Sequence, residues 1–225
     1  VRDKMGKTKD EIITIDELAK VDSIYIKPNK DDYKETNIST LADLAYFPNE
    51  KEAHFSNCQI TSSSIKYIQN YEVIDLSGNK LTGAVTINNP NLQSLNLDFN
   101  QITSLTITAS QLTYFSIKDN QVTTIALNDC TTLKRFIAPN NKLTSISFLN
   151  GNDLEVLDIA NNQVTSLDTL ATSASLAELY VGGNDGLADS NFLSVISSDV
   201  RKQLTHLNVG GTDTFTKSDF SNFYK

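Results

Sequence analysis

The stretch Leu92-Gln93-Ser94-Leu95-Asn96-Leu97-Asp98-Phe99-Asn100-Gln101-Ile102 decides the fold. It fits the template L-x-x-L-x-L-x-x-N-x-L at every fixed position, and the template recurs in both directions along the chain. Before it stands Tyr71/Ile74/Leu76/Asn79/Leu81. After it come Leu112/Phe115/Ile117/Asn120/Val122, Leu133/Phe136/Ala138/Asn141/Leu143, Leu154/Leu157/Ile159/Asn162/Val164 and Leu176/Leu179/Val181/Asn184. Weaker copies flank these at Val21/Ile24/Ile26/Asn29, Ala53/Phe55/Cys58/Ile60 and Leu204/Leu207/Val209/Thr212. From Cys58 to Asn184 the marker position recurs every 20–22 residues, and 23 of the 225 residues are Asn. That excess is the mark of a repeat rather than of a surface.

The physical content of the template follows from its periods. Its x-L-x-L-x core alternates, which predicts a short strand with apolar residues facing inward. One coil cannot bury that face alone, whereas stacked coils share a continuous core and pair their strands into a parallel sheet. The Asn stands where the chain leaves the strand and turns. A carboxamide there can bond backbone groups of its own and neighbouring coils that a buried turn would otherwise leave unsatisfied. Asn29, Cys58, Asn79, Asn100, Asn120, Asn141, Asn162 and Asn184 are therefore assigned to a structural ladder.

On these motifs the chain resembles bacterial leucine-rich-repeat proteins of the internalin-like class with 20–22-residue repeats, from about Val21 to Thr212. The family tolerates Cys at the Asn position, as at Cys58. The resemblance implies a leucine-rich-repeat solenoid of the α/β repeat class, rich in β structure, with a curved parallel sheet on the concave side and short strands or short helices on the convex side. It also implies a non-enzymatic protein-binding or adhesion module of an exported bacterial surface protein, placed extracellularly or at the cell surface.

The expected organisation has three parts. Residues 1–20 form a helical N-terminal cap, with Thr14-Ile15-Asp16-Glu17 as a capping box. Residues 21–212 form about nine coils. Residues 213–225, with Phe215, Phe220, Phe223 and Tyr224, either close the last coil or begin an extension. On the convex side, Ala84–Ile87, Leu105–Ile107, Ile125–Leu127 and Ile146–Phe148 alternate, which predicts a second extended column. Ile38/Leu41/Leu44, Ile65/Ile68 and Leu193/Ile196/Val200 have helical spacing instead, the last behind Asp189 or Ser190 as N-cap. The chain begins at Val1 rather than Met, as a trimmed or mature form would, so an export signal is compatible with the sequence but not visible in it.

Composition narrows the function classes. Asp and Glu outnumber Lys and Arg 27 to 19, for a net charge of −8 with no basic block, which argues against nucleic acid and anionic membrane as partners. No apolar run approaches the ~18 residues of a membrane span. Two Cys residues exclude a disulfide scaffold. His54 and His206 fall seven coils apart, roughly 34 Å along the sheet, and cannot share a catalytic or metal site. Gly182-Gly183-Asn184-Asp185-Gly186 lacks the Lys of a phosphate loop, and Asp31-Asp32 and Asn150-Gly151-Asn152-Asp153 read as solvated turns rather than calcium loops. No catalytic residue, metal or cofactor is expected.

The informative surface is the concave face, where each coil presents its three x residues. Most are small and polar. The fifth to eighth coils differ, placing Tyr114, Arg135, Ile137, Val156 and Tyr180 close together, with Asp158 among them. That is the composition of a protein-binding patch, and the partner expected is a protein bound by a monomer. Two other readings stay open: a surface glycan-binding protein, with Tyr25, Tyr114 and Tyr180 stacking on sugars, and a structural spacer carrying another domain.

Overall fold

The computed structural model describes residues 23–25, 38–47, 49–149, 151–187, 201–202 and 204–210. The expected N-terminal cap, Asn29, Asp31-Asp32, the helix expected around Leu193 to Val200 and residues 213–225 lie outside the described residues. So does the side chain of Tyr25.

Twelve strands occur among the described residues, numbered in chain order. Nine of them, each three residues long, form one parallel sheet: β1 (Ser23–Tyr25), β2 (Glu52–His54), β3 (Val73–Asp75), β5 (Ser94–Asn96), β7 (Tyr114–Ser116), β9 (Arg135–Ile137), β10 (Val156–Asp158), β11 (Glu178–Tyr180) and β12 (His206–Asn208). Every step is in register: Ile74 faces Leu95, Leu95 faces Phe115, and Phe136 faces Leu157. The template's apolar positions thus superpose into buried columns. Phe115 and Phe136 pack with their ring planes tilted by 46°, at 5.4 Å between centroids.

The convex side carries a second parallel sheet made of β4 (Thr82–Asn88), β6 (Gln101–Thr108) and β8 (Thr124–Asn128). It buries Val85, Ile87, Leu105 and Ile107, the inward residues of the alternating segments. The extended column stops there, and the expectation for Ile146–Phe148 needs correction: Ser147–Leu149 is a 3-10 helix. Ile146 and Leu149 are both buried, and one three-residue turn carries both to the core. The Leu149 N–H donates to the Ile146 carbonyl at 2.9 Å, and Phe148 packs edge-on against Phe136. Leu167 and Leu170 repeat the device in the next coil. The helical spacings at Leu41/Leu44 and Ile65/Ile68 also resolve as 3-10 turns, Ala42–Tyr46 and Ser62–Tyr67.

The ladder is built from one four-bond unit. At Asn100 the carboxamide nitrogen donates to the carbonyls of Leu76 in the preceding coil and of Leu97 and Asp98 in its own, while its oxygen accepts the Leu81 N–H of the preceding coil at 3.0 Å. Asn79, Asn120, Asn141 and Asn162 repeat this pattern, and Asn184 keeps both links to the preceding coil. Cys58 is buried in the same column, its thiol directed to the Ser56 carbonyl at 3.6 Å.

A second buried corner lies on the opposite side of the coil, in the column Asn89, Ala109, Cys130, Asn152, Ser173. Asn89 donates to the carbonyls of Ile68 and Tyr71, Asn152 to that of Cys130, and Ser173 to that of Asn152. Asn152 is therefore a buried structural residue and not part of a solvated turn. Its neighbour Asp153 accepts from Ser175 at 2.7 Å and pairs with Lys134, and these donors hold its carboxyl below the ordinary range. Cys130, beside it, is a buried thiol whose ionisation burial pushes up.

Truncating a ladder residue leaves a buried N–H without its acceptor. Asn100→Ala and Asn141→Ala should each lower the unfolding free energy by about 1–3 kcal/mol in denaturant titrations. Parent-like stability in both variants would show that neighbouring groups or water replace the amide.

Candidate functional site

Three columns of side chains project from the concave sheet. The central column carries a repeated turn device. Asp75, Asn96, Asp158 and Asn208 each accept the N–H of the residue two positions on, at 2.9–3.1 Å, so the carbonyl or carboxylate oxygen closes the strand exit. The remaining coils do it differently, and two of them shape the patch. At Ser116 the hydroxyl instead donates to Asp98 of the preceding coil at 2.6 Å, and that carboxylate takes the Lys118 N–H at 2.7 Å. At the next coil Ile137 has no acceptor, but the residue two positions on is Pro139, which has no N–H to satisfy. An apolar side chain can stand on the face there because its turn makes no demand.

The sequence-derived patch occupies two adjacent columns. Strand register puts Tyr114 beside Arg135, Arg135 beside Val156, Ile137 beside Asp158, and Asp158 beside Tyr180. Arg135 is exposed, and it forms no ion pair with a carboxylate among the described residues. Tyr114, Ile137, Asp158 and Tyr180 are half-buried. Val156 must be corrected: it is only 4% exposed. Its registered neighbours, Arg135 and Glu178, carry far longer side chains than its own, so it supports the patch from beneath instead of offering surface. The Tyr180 hydroxyl donates to Glu178 at 3.1 Å, and that carboxylate, favouring the protonated phenol, raises the tyrosine's ionisation.

The electrostatics are mixed. Burial pushes the Asp98 carboxyl up against the pull of Ser116 and Lys118, and burial does the same to Asp158 against the Ala160 N–H and Lys118. Lys118 thus stands as a cation serving two half-desolvated acids. Among the described residues no cluster of His, Cys, Asp and Glu has the grouping of a metal site, and no helix is long and apolar enough to cross a membrane.

One exposed residue escaped the sequence reading. The position just before each described ladder residue is left-handed, with φ between 52° and 71°, at Asn57, Gly78, Phe99, Asp119, Asn140, Asn161 and Gly183. Asn, Asp and Gly tolerate that backbone, and a bulky aromatic does not: it costs of order 1–2 kcal/mol. Phe99 nevertheless sits there, 55% exposed, with the Lys118 ammonium 5.3 Å from its ring centroid. Comparing that column across coils is the signal that isolates it, whereas the template x positions alone do not.

Comparison with known proteins agrees with this architecture. A family model described as "Leucine Rich repeat" matches residues 88–105. No curated protein sequence matches the chain. Among solved structures, the functional domain of InlJ from Listeria monocytogenes, described as including a cysteine ladder, is similar at 20% identity and a TM-score of 0.53. The match covers 80% of this chain and 48% of that one, so this chain spans about half its length. Internalin C2 from Listeria monocytogenes gives 21% identity over 78% of this chain and 87% of its own, with a TM-score of 0.48. A leucine-rich-repeat protein from Leptospira interrogans gives 16% identity over 76% and 63%, with a TM-score of 0.35. The fold is a leucine-rich-repeat solenoid of the internalin-like kind.

The raised carboxyl of Asp158 has a consequence for stability. Because the folded chain keeps that proton to a higher pH than the unfolded chain, stability falls as pH rises from the ordinary carboxylate value through the raised one. Asp158→Asn retains the turn acceptor and removes the charge. Its Tm should exceed the parent's at pH 7, and the difference should close toward about pH 3, where the acid is protonated in both states. A lower Tm at pH 7 would show that Lys118 repays the burial of the carboxylate.

Proposed function

We propose that this chain is a protein-binding or adhesion module of an exported bacterial surface protein, acting by recognition and not by catalysis, with its contact on the concave face. The observation that carries the reading is Arg135. Among the described residues it is an exposed guanidinium with no carboxylate ion pair, flanked in register by Tyr114 and lying beside Ile137 on its own strand. A charged planar donor set between an aromatic and an apolar side chain has the composition of an interface anchor. The internalin-like fold supports both the binding role and the extracellular or cell-surface placement.

Charge supports the choice of face. Asp75, Asp98, Asp158 and Glu178 lie on the concave columns around Lys118 and Arg135, and an acidic surround of this kind steers a partner with a basic patch. Three strand spacings separate Tyr114 from the eighth coil's Tyr180, roughly 14 Å, the scale of an interface core.

The test is capture of extracellular proteins on the immobilised chain, followed by titration of the captured partner. A Tyr114→Ala/Arg135→Ala double variant should retain the parent's Tm while losing affinity by at least about 30-fold, as hot-spot removal does. Unchanged affinity, with binding abolished instead by substitutions at Thr106 or Thr124, would move the contact to the convex face.

A further inference from the structure

The left-handed positions line up along one rim of the sheet, and their side chains are joined. The Asn140 carboxamide nitrogen donates to Asp119 Oδ1 at 2.7 Å, and the Asn161 nitrogen donates to Asn140 Oδ1 at 2.7 Å. Asp119 can only accept, so it dictates the orientation of Asn140, and Asn140 in turn orients Asn161. The row ends against Gly183, where an added Cβ would collide with the Asn161 amide oxygen. At the other end Lys118 lies 3.7 Å from Asp119 and over the ring of Phe99. Beyond Phe99, Asn57 lies over Gly78, again in space that a Cβ would fill.

This row is a pre-oriented polar rail with one exposed aromatic plate. Asn140 and Asn161 are exposed, and each bond along the rail uses one N–H of a carboxamide, leaving the other N–H without a partner among the described residues and beside oxygen lone pairs. An adjacent donor and acceptor, fixed in direction, matches a pair of neighbouring hydroxyl groups, each of which donates and accepts. The aromatic plate supplies the other half of the recognition: the C–H face of a pyranose carries slight positive charge and rests on the negative face of a ring. The rail advances by one strand spacing per coil, ~4.8 Å, close to one sugar unit of an extended chain.

We propose that the rim from Phe99 to Asn161 binds an unbranched neutral oligosaccharide, with a sugar stacked on Phe99 and hydroxyls held by Asp119, Asn140 and Asn161. The site is distinct from the concave patch and does not depend on it. Its surroundings favour a saccharide over a protein. Phe99 is a single aromatic among Asn57, Gly78, Lys118 and Asp119, with no contiguous apolar neighbours to form the dry centre that a protein contact needs. The turn itself does not require the strain at Phe99, since Asn occupies the same position at residues 57, 140 and 161 without that cost.

The test is calorimetric titration of the full chain with cello-, manno-, xylo- and chito-oligosaccharides of three to six units. At least one series should bind the parent. Phe99→Asn should weaken that binding at least tenfold while raising the Tm, because the strained residue is exchanged for one suited to the turn. Asn140→Gly, which keeps a residue suited to the left-handed backbone, should weaken it at least tenfold at nearly parental Tm, and Tyr114→Ala/Arg135→Ala should leave it unchanged. Absence of binding to every series, or parental affinity in Phe99→Asn, overturns the proposal. So does loss of a captured protein partner in Phe99→Asn without any saccharide effect, which would make the rim part of a protein interface.

Discussion

A buried N–H in each coil finds its acceptor only in the next coil. The Ile102 N–H is received by Asn120, the Val122 N–H by Asn141 and the Leu143 N–H by Asn162. The same amides return donors to the preceding coil's carbonyls, so each coil completes the hydrogen bonding of its predecessor. A single coil would hold unsatisfied polar groups and an open apolar face, and both penalties vanish only on stacking. Register follows from the same constraint, because a strand slipped by one residue would take the amide out of reach and turn the core residues outward.

With the ladder and core carrying stability, the outward columns are released for other uses, though not wholly. The strand exit presents another N–H on the concave side, and in four coils an Asp or Asn in the central column receives it. The patch around Ile137 exists because two neighbouring coils meet this demand differently, Asp98 reaching across to Ser116 and Lys118 in one and Pro139 removing the donor in the other. The acids on this face are accordingly both structural and electrostatic. Asp158 closes a turn and contributes to the surface field, with burial and Lys118 pulling its ionisation in opposite directions.

The rim obeys a different rule. Each coil must reverse direction just before its ladder residue, and the reversal needs a left-handed residue there. Asn, Asp and Gly satisfy it through short side chains or none. Where they are Asp119, Asn140 and Asn161, their side chains lie one strand spacing apart and bond into a line. Phe99 meets the same backbone requirement at a cost, and Lys118 across its ring is the compensating contact visible in the fold.

The sequence by itself determined the stacking. A marker recurring every 20–22 residues and an alternating core specify which residues pair, and the three concave columns follow from counting, as Tyr114 beside Arg135 and Ile137 beside Asp158 show. The tertiary structure decided what counting along one coil cannot reach. Val156 has the pattern of an exposed residue, but its cover depends on side chains from coils about one repeat away on either side. Ile146–Phe148 reads as a strand, yet bringing Ile146 and Leu149 together to the core selects a 3-10 turn. Asn152 reads as part of a solvated turn until its corner, with Cys130, is seen to form its own buried column, and Phe99 looks like one more variable position until its φ is known. In each case periodicity reports the direction a side chain leaves the backbone, whereas exposure, strain and partnership depend on which neighbours the stacked coils bring alongside.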